Sequence, residues 1–68
     1  MVTLNSSDLR GAEYDPSSAT LTIVSHDGSV YEYYGVPHSE YIGLLNATSH
    51  GQYFHAHIKD RYRYRKVS

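Results

Sequence analysis

Residues 20–25 alternate polar and apolar side chains and are rich in β-branched residues, a pattern typical of a half-buried β-strand. His26-Asp27-Gly28 then supplies a turn, and residues 30–36 form a second strand-like run. These two runs predict a β-hairpin. Its register constrains the fold more than any other feature, because a shift of one residue moves every side chain of a strand to the opposite face.

Two turns are compatible with this sequence. A two-residue type I′ turn would place the aliphatic residues of the first strand beside Tyr34 and Glu32. A three-residue turn, with Gly28 in the left-handed region, instead gathers aliphatic and aromatic side chains on one face. We expect the three-residue turn because it gives the coherent apolar face. The cross-strand pairs that it predicts are Leu21 with Tyr33 and Ile23 with Tyr31.

The same register assigns a role to the tyrosines of the second strand. Tyr31 and Tyr33 could stack on bases, as exposed aromatic residues do on RNA-binding sheets. The predicted pairing instead directs them toward Leu21 and Ile23, where large rings supply burial that a small chain needs. We therefore assign both tyrosines to the core, with Tyr34 on the opposite face.

Residues 9–15, before the hairpin, give only a weak first strand, which ends at the turn-forming sequence Asp15-Pro16-Ser17-Ser18.

Two helices are predicted after the hairpin. After Pro37, side chains recur at helical spacing for about three turns, with His38 or Ser39 as the cap. The members of this stripe are Tyr41, Leu44, Leu45 and Thr48.

A second, shorter helix is expected to begin at Ser49, because a serine followed three residues later by Gln52 is a capping-box pattern. Phe54 and Ile58 share its buried face. The residues that share a different face are His55, Lys59 and Tyr62.

Together these elements predict an α+β fold in one domain of 68 residues. A small antiparallel sheet, made of a three-stranded meander and a C-terminal strand or arm over residues 62–67, packs on the two helices. We expect residues 1–8 to be flexible or loosely ordered.

We also expect a homo-oligomer. Aliphatic residues are few and cysteine is absent, and small chains commonly gain burial by pairing with copies of themselves.

Charge is segregated along the chain. Residues 59–68 carry five cations and one carboxylate, a net of +4, whereas residues 1–58 carry one cation and six carboxylates, a net of −5. This distribution indicates an anionic partner for the C-terminal end. Arginine binds phosphate oxygens and tyrosine rings stack on bases, and a tail that only balances an acidic body would not need such rings. The predicted ligand-binding residues are His55, Lys59, Arg61, Tyr62, Arg63, Tyr64 and Arg65.

No cofactor, metal or catalytic residue is expected. His55 and His57 point apart on a helix, and no cysteine is available to complete a zinc site. No nucleophile–base motif is present, although paired histidines can in principle cleave phosphodiesters. No segment is apolar enough for a signal peptide or a membrane span, so we expect no membrane contact and a cytoplasmic location in a bacterial host cell.

A set of residues spread along nearly the whole chain, from about 6 to 66, follows the order of a known family: Tyr14-Asp15, Leu21, Gly28, Tyr31-Glu32-Tyr33, Val36-Pro37, Tyr41, Leu44, Ala47, Ser49-His50-Gly51, Phe54, Ile58 and Tyr62-Arg63-Tyr64. In this order they resemble the KTSC domain. This short family is named for its occurrence at the C-terminus of some lysyl-tRNA synthetases. The resemblance implies a compact α+β unit, often free-standing in bacterial and phage proteins, and no settled activity; RNA binding is suspected by analogy with the synthetase fusion. His55 stands where the pattern leads us to expect Asn, and Arg63 where we expect Pro.

From these residues we favour a non-catalytic module that captures a small phosphate-bearing nucleotide. A domain that tracks RNA usually has a high pI, whereas this chain has a pI near 6.5 and a formal net charge of −1. Binding without turnover would be sequestration, for example of a signalling nucleotide by a phage anti-defence protein. One alternative is a module for RNA or single-stranded nucleic acid. A second is a protein-interaction module whose basic arm docks on an acidic partner.

Overall fold

The computed structural model describes residues 1–68 and shows a five-stranded antiparallel sheet with two helices packed against one face. The strands lie side by side in chain order, and both helices are inserted between the last two strands. The predicted α+β class is confirmed. Neither helix is long and apolar enough to cross a membrane. The elements are β1 Val2–Thr3, β2 Leu9–Asp15, β3 Thr20–Ser25, β4 Val30–Tyr33, α1 His38–Asn46, α2 His50–His57 and β5 Tyr64–Lys66.

One hydrophobic core lies between the sheet and the helices. Tyrosines extend it at its margins, and their hydroxyl groups find partners. Tyr14 stacks on Tyr41 with ring centroids 5.2 Å apart, and its hydroxyl donates to the carbonyl oxygen of Val36 at 2.6 Å. A tyrosine can therefore add burial here without leaving a polar group unsatisfied. The ten buried core residues are Leu4, Leu9, Ala12, Leu21, Ile23, Tyr33, Val36, Leu44, Phe54 and Ile58.

The β3–β4 hairpin has the predicted three-residue turn and register. Ile23 pairs with Tyr31, and Leu21 pairs with Tyr33. Gly28 adopts a φ of +88°, a conformation in which a side chain would be strained. The inner face of the hairpin is therefore apolar and aromatic, as the alternation of the sequence predicts.

A β-bulge explains why β2 gives only a weak strand pattern. Leu9 and Ala12 are both buried although they are three residues apart, which breaks the period of two. The register of β2 on β3 shifts between Leu9 and Gly11. An extra residue at this point returns both apolar side chains to the core face.

The N-terminal residues were not expected to form a strand. Val2 and Thr3 nevertheless pair with Ala12 and Gly11 as β1, and Leu4 is buried behind them. A strand of two residues carries too little alternation to be detected from sequence. Burial of Leu4 ties this segment to the core.

The starts of the two helices agree only in part with those predicted from the sequence. Ser49 caps α2 and accepts a hydrogen bond from the backbone N–H of Gln52 at 3.2 Å, as predicted. The predicted cap of α1, His38 or Ser39, is wrong. Pro37 occupies that position, and it makes no side-chain hydrogen bond because its ring, which fixes φ near −62°, carries no acceptor.

The C-terminal segment folds back onto its own sheet. β5 pairs antiparallel with β4, and Tyr33 lies opposite Tyr64. The backbone N–H of Tyr34 donates to the carbonyl oxygen of Arg63 at 2.8 Å and extends the pairing by one residue. The arm expected over residues 62–67 is therefore a short strand that pairs within its own chain.

Candidate ligand-binding cavity

A cavity of about 270 Å³ opens where β4 and β5 meet the C-terminal part of α2. Its floor is made by core side chains, including Tyr33 and Phe54, which are 3% and 7% exposed. Polar and charged side chains surround its mouth. The lining residues are Asp8, Leu9, Ser25, Tyr31, Tyr33, Phe54, His55, Lys59, Asp60 and Tyr64.

The rings of the cavity contact one another in a defined order. Tyr33 packs edge-on against Phe54 with centroids 5.5 Å apart and stacks on Tyr64 at 5.3 Å with an interplanar angle of 29°. Tyr31 meets the edge of Tyr64 at 6.2 Å. Tyr64 itself remains 58% exposed. One face of Tyr64 is therefore covered by Tyr33, while much of the ring is open to a flat ligand.

Burial raises the pKa of Tyr33 to about 12, with smaller contributions from the neighbouring Tyr64, Tyr31 and Asp60. The hydroxyl group therefore stays protonated at neutral pH. A protonated phenol can both donate and accept a hydrogen bond. Tyr33 therefore contributes a neutral polar group to the floor of the cavity.

The charged residues at the mouth have no partner within the chain. Asp8, Lys59 and Asp60 take part in no ion pair, and the carboxylates of Asp8 and Asp60 accept no hydrogen bond from another side chain or from the backbone. The chain has seven carboxylates in all, and each of the other five has a partner. Those five are Glu13, Asp15, Asp27, Glu32 and Glu40.

A glycine in α2 makes room for one of these carboxylates. Gly51 is buried, and a Cβ atom at that position would lie 2.8 Å from Oδ2 of Asp8. The backbone carbonyl of Asp8 in turn accepts a hydrogen bond from the N–H of His26 at 3.0 Å. These contacts place Asp8 between the β3–β4 turn and the start of α2, at the edge of the cavity.

Three of the seven predicted ligand-binding residues come together here: His55, Lys59 and Tyr64 line the cavity. Arg61 and Arg63 are exposed outside it. The remaining two, Tyr62 and Arg65, contact carboxylates that lie outside the cavity. Tyr62 donates a hydrogen bond to Glu40 on α1, and Arg65 lies 3.9 Å from Glu32 on the opposite face of the sheet.

The tail divides in this way because its strand is short. Only Tyr64–Lys66 is in β5, so the strand that we expected from residue 62 onward begins two residues later. Tyr64 points to the helix side and Arg65 to the other side, as neighbours in a strand must. Tyr62 lies before the strand and packs at the margin of the core. The two rings therefore do not form one platform.

Seven of the ten lining residues are not among the predicted ligand-binding residues, and they include Tyr31, Tyr33, Asp8 and Asp60. Tyr31 and Tyr33 were assigned to the core, and Tyr33 is indeed buried, but both also line the cavity. Asp60 stands inside a run of cations, and this interruption of the charge pattern is a signal present in the sequence. Asp8 carries no local signal, because long-range packing alone brings it to the cavity.

A second polar cluster, here called the Glu40 clasp, fixes the segment that leads to β5. Glu40 accepts a hydrogen bond from the hydroxyl of Tyr53 at 2.6 Å and another from Tyr62 at 3.1 Å. The bond to Glu40 is the main cause that raises the pKa of Tyr53 to about 12. Burial, followed by the same carboxylate, raises the pKa of Tyr62. The clasp links α1, α2 and the tail.

The remaining histidines do not assemble into a site. Nδ1 of His50 lies 2.8 Å from the carbonyl oxygen of Leu44 near the end of α1, a contact that satisfies a helix-terminal acceptor. His57 stacks on Tyr53 with centroids 4.2 Å apart. No group of three or more His, Asp or Glu side chains converges in a way that could hold a metal ion.

The sheet order, the two inserted helices and the cavity define a small α+β domain in which the last strand returns to the meander after the helices. The family model for the KTSC domain matches residues 5–62. The chain therefore belongs to the KTSC domain family, as its sequence resemblance suggested. A crystal structure of a KTSC domain protein from Yersinia pestis has the same fold, with a TM-score of 0.94 and 30% sequence identity, and the match covers 97% of this chain and 93% of that one.

Relatives of two sizes share this domain. A lysine–tRNA ligase from Nostoc sp. is 42% identical over 60 residues, which are 88% of this chain and 11% of the ligase. The ligase from Trichormus variabilis is 46% identical over 55 residues, 81% of this chain and 10% of the ligase. The chain thus spans about a tenth of these enzymes. A protein from Tsukamurella paurometabola is 35% identical over 63 residues, 93% of this chain and 94% of that protein.

Proposed function

We propose that this chain is a non-catalytic binding module that captures a small phosphate-bearing nucleotide in the cavity between β4, β5 and α2. The observation that supports the proposal best is the combination of an exposed ring, Tyr64, with unpaired Lys59 and with His55 around one concavity. Ligand sites typically combine an apolar floor with a few convergent polar groups. Capture without turnover would sequester the nucleotide, in the cytoplasm of a bacterial cell.

The size of the cavity limits how much of a nucleotide it takes. Pockets for drug-sized ligands usually measure about 300–1,000 Å³, whereas this one measures about 270 Å³. A single base can enter and stack on Tyr64, a contact worth about 1–3 kcal/mol for other proteins that bind single strands. The sugar and phosphate then stay at the mouth.

Lys59 and His55 are the groups at the mouth that suit a phosphate. Both lie on or just after the last turn of α2, and Lys59 has no carboxylate within ion-pair distance. An ammonium group without an internal partner can bind a phosphate oxygen without first breaking a salt bridge. The net charge of +4 on residues 59–68 attracts an anion to this end of the molecule.

Calorimetry with AMP and adenosine tests this proposal, because the two ligands differ only in the phosphate. We expect the wild-type chain to prefer AMP. Lys59→Ala should weaken AMP binding about tenfold or more and leave adenosine nearly unchanged, since a hydrogen bond to a charged group contributes roughly 1.5–3 kcal/mol. Arg65→Ala is the matched control, because it removes a cation from the opposite face of the sheet.

Two results would refute the proposal. Equal affinity for AMP and adenosine, unaffected by Lys59→Ala, would remove the phosphate contact. No thermal stabilisation by any mono-, di- or cyclic nucleotide would remove nucleotide capture altogether, since a ligand at 100 times its dissociation constant stabilises a protein by about 2.7 kcal/mol.

RNA binding is a second candidate, and the lysine–tRNA ligases that carry this domain favour it. Tyr64 could stack on one exposed base of a single strand while Arg61, Arg63 and Lys66 contact its backbone. The dependence of affinity on salt separates the two candidates. A single strand that contacts several phosphates should give a log–log slope of about −0.7 per contact, whereas a nucleotide in the cavity should give a shallow one.

We also propose that the chain self-associates. Exposed apolar residues occur near both edges of the sheet, with Met1 and Val2 at one and Tyr64 and Val67 at the other. An unpaired strand edge with apolar neighbours readily pairs with another chain. Sedimentation equilibrium over a range of concentrations tests this; a single species of 7.7 kDa throughout would contradict it.

A further inference from the structure

We infer that Asp8 and Asp60 make the cavity selective for nucleobases that carry an exocyclic amino group. Adenine, guanine and cytosine belong to this class, whereas hypoxanthine and uracil do not. The inference depends on the proposed function and goes further, because it names the chemical group that the ligand must present and the two residues that recognise it.

The distribution of partners among the carboxylates supports this inference. Five of the seven carboxylates already accept a hydrogen bond or form an ion pair within the chain. Asp8 and Asp60 do neither, and both line the same cavity. They come from segments 52 residues apart in the sequence, so their convergence is a product of the fold and not of a local acidic run.

The chemistry of the carboxylate determines what it can recognise. An ionised carboxylate only accepts hydrogen bonds, so it pairs with N–H groups and repels carbonyl oxygens. Aspartate and glutamate accept from the amino group of cytosine in nucleic-acid recognition for this reason. A base stacked against Tyr64 that turns an amino group toward Asp8 or Asp60 satisfies the carboxylate. A base that turns a carbonyl oxygen there leaves two acceptors in contact.

Lys59 and His55 complete the recognition pattern. They sit beside the two carboxylates at the same mouth, yet Lys59 lies beyond ion-pair distance from both. The mouth therefore offers acceptors and a cation separately. An amino-bearing nucleotide also has two separate ends, an N–H donor on the base and an anionic phosphate, and it can satisfy both at once.

A simple ammonium ligand fits the cavity less well. Rings and carboxylates together can form a cage for a quaternary ammonium group, provided that several ring faces point at the cation. Here Tyr33 and Tyr64 stack on each other and Tyr33 meets Phe54 edge-on, so several ring faces do not point together at one position for a cation. Lys59 also places a like charge at the mouth.

Matched pairs of nucleotides test the inference directly. GMP and IMP differ only in the 2-amino group, AMP and IMP differ in the group at position 6, and CMP and UMP differ in the group at position 4. In calorimetry, we expect at least one amino-bearing nucleotide to bind about 5- to 150-fold more tightly than its partner, the ratio that corresponds to one good base contact.

Substitution of the carboxylates assigns the selectivity to residues. An amide donates as well as accepts, so Asp60→Asn and Asp8→Asn should reduce the preferred ratio at least fivefold by improving the binding of the carbonyl-bearing partner. Glu13→Gln is the control, because Glu13 is exposed away from the cavity and pairs with the N-terminal amine at 3.4 Å. It should leave the ratio unchanged.

The outcomes separate the inference from the proposed function. Equal binding of both members in all three pairs, with clear binding overall, would overturn the selectivity and leave nucleotide capture standing. The same holds if neither Asp→Asn variant changes the ratio. Absence of binding by all five nucleotides would overturn both. Tighter binding of tetramethylammonium than of any nucleotide would replace the inference with an ammonium cage.

Discussion

The two faces of strands β4 and β5 carry the same kinds of residue, but the residues on the two faces differ in their partners. On the outer face, Glu32 accepts a hydrogen bond from the hydroxyl of Tyr34 at 3.0 Å and lies 3.9 Å from the guanidinium of Arg65. On the inner face, Tyr33 and Tyr64 stack on each other beside a cavity whose charged residues have no partner. Tyrosine, carboxylate and cation occur on both faces, but only the outer set is internally paired.

This difference indicates where a ligand can gain free energy. A charged group that already has a partner must lose it before it binds anything else, and the exchange contributes little. A carboxylate or ammonium group without a protein partner gives up only its hydration, so its net contribution to the complex is larger. The number of cations in the tail is therefore a weaker guide to the site than the subset of them that the fold leaves unpaired on the inner face.

The largest expected effect is on the free energy of unfolding, which should respond differently to substitutions on the two faces of the sheet. Ile23→Ala should lower the free energy of unfolding by about 2–5 kcal/mol, because the side chain is fully buried and its removal leaves a cavity. Thr22→Ala, one residue away on the outer face, should cost at most about 1 kcal/mol. Urea denaturation measures both. Similar losses for the two variants would show that the faces do not differ in packing.

The Glu40 clasp is the one place on the helix side where a carboxylate is fully paired, and its removal sharpens the contrast with the unpaired Asp60. Glu40→Ala should reduce stability by about 2 kcal/mol, since two tyrosine hydroxyls lose a charged acceptor. Asp60→Ala should change stability by no more than about 0.5 kcal/mol, because the side chain is exposed and unpaired. Urea denaturation measures both variants. Equal losses of stability in Glu40→Ala and Asp60→Ala would mean that the clasp does not hold the tail.

The clasp should also make stability depend on pH in the alkaline range. The pKa of Tyr53 is raised to about 12 in the folded chain, from an ordinary value of 10.0, mainly by its bond to Glu40. The folded state therefore keeps a proton that the unfolded state loses. The resulting stability is complete below pH 10 and is lost as the pH rises from about 10 to 12.

Urea denaturation at pH 8, 10 and 11 measures this loss, and Glu40→Gln provides the comparison. The variant removes the negative charge but keeps an acceptor, so its stability should fall less steeply with pH. Tyr33 also contributes in this window, since burial raises its pKa to about 12. That contribution is common to both proteins. Parallel pH curves would mean that the carboxylate does not hold the tyrosine protons.

Local patterns in the sequence predicted the hairpin well, for physical reasons. The register of Ile23 on Tyr31 depends on alternation over a few residues and on one glycine that can adopt a positive φ. The cap at Ser49 is likewise a local hydrogen bond. Both follow from residues within a short stretch of chain, so no knowledge of the rest of the fold is needed.

The cavity could be predicted only in part, because its residues meet through long-range packing. His55 and Lys59 were identified from their spacing on α2, and Tyr64 from its place among cations. Asp8 reaches the mouth only because β2 pairs with β3 and Gly51 leaves room at the start of α2. The position of Arg65 depended on where β5 begins, which alternation alone does not fix to within a residue or two.

The smallest expected effect concerns Arg65, and it tests the comparison most directly. Its ion pair with Glu32 is long and its side chain is 73% exposed, so Arg65→Ala should change the free energy of unfolding by less than about 1 kcal/mol. Nucleotide affinity should also be unchanged, whereas Lys59→Ala should weaken it without loss of stability. Urea denaturation and calorimetry on the two variants give both quantities. A loss of affinity in Arg65→Ala as large as that in Lys59→Ala would mean that the two faces bind together, because the ligand would then have to reach around the edge strand β5.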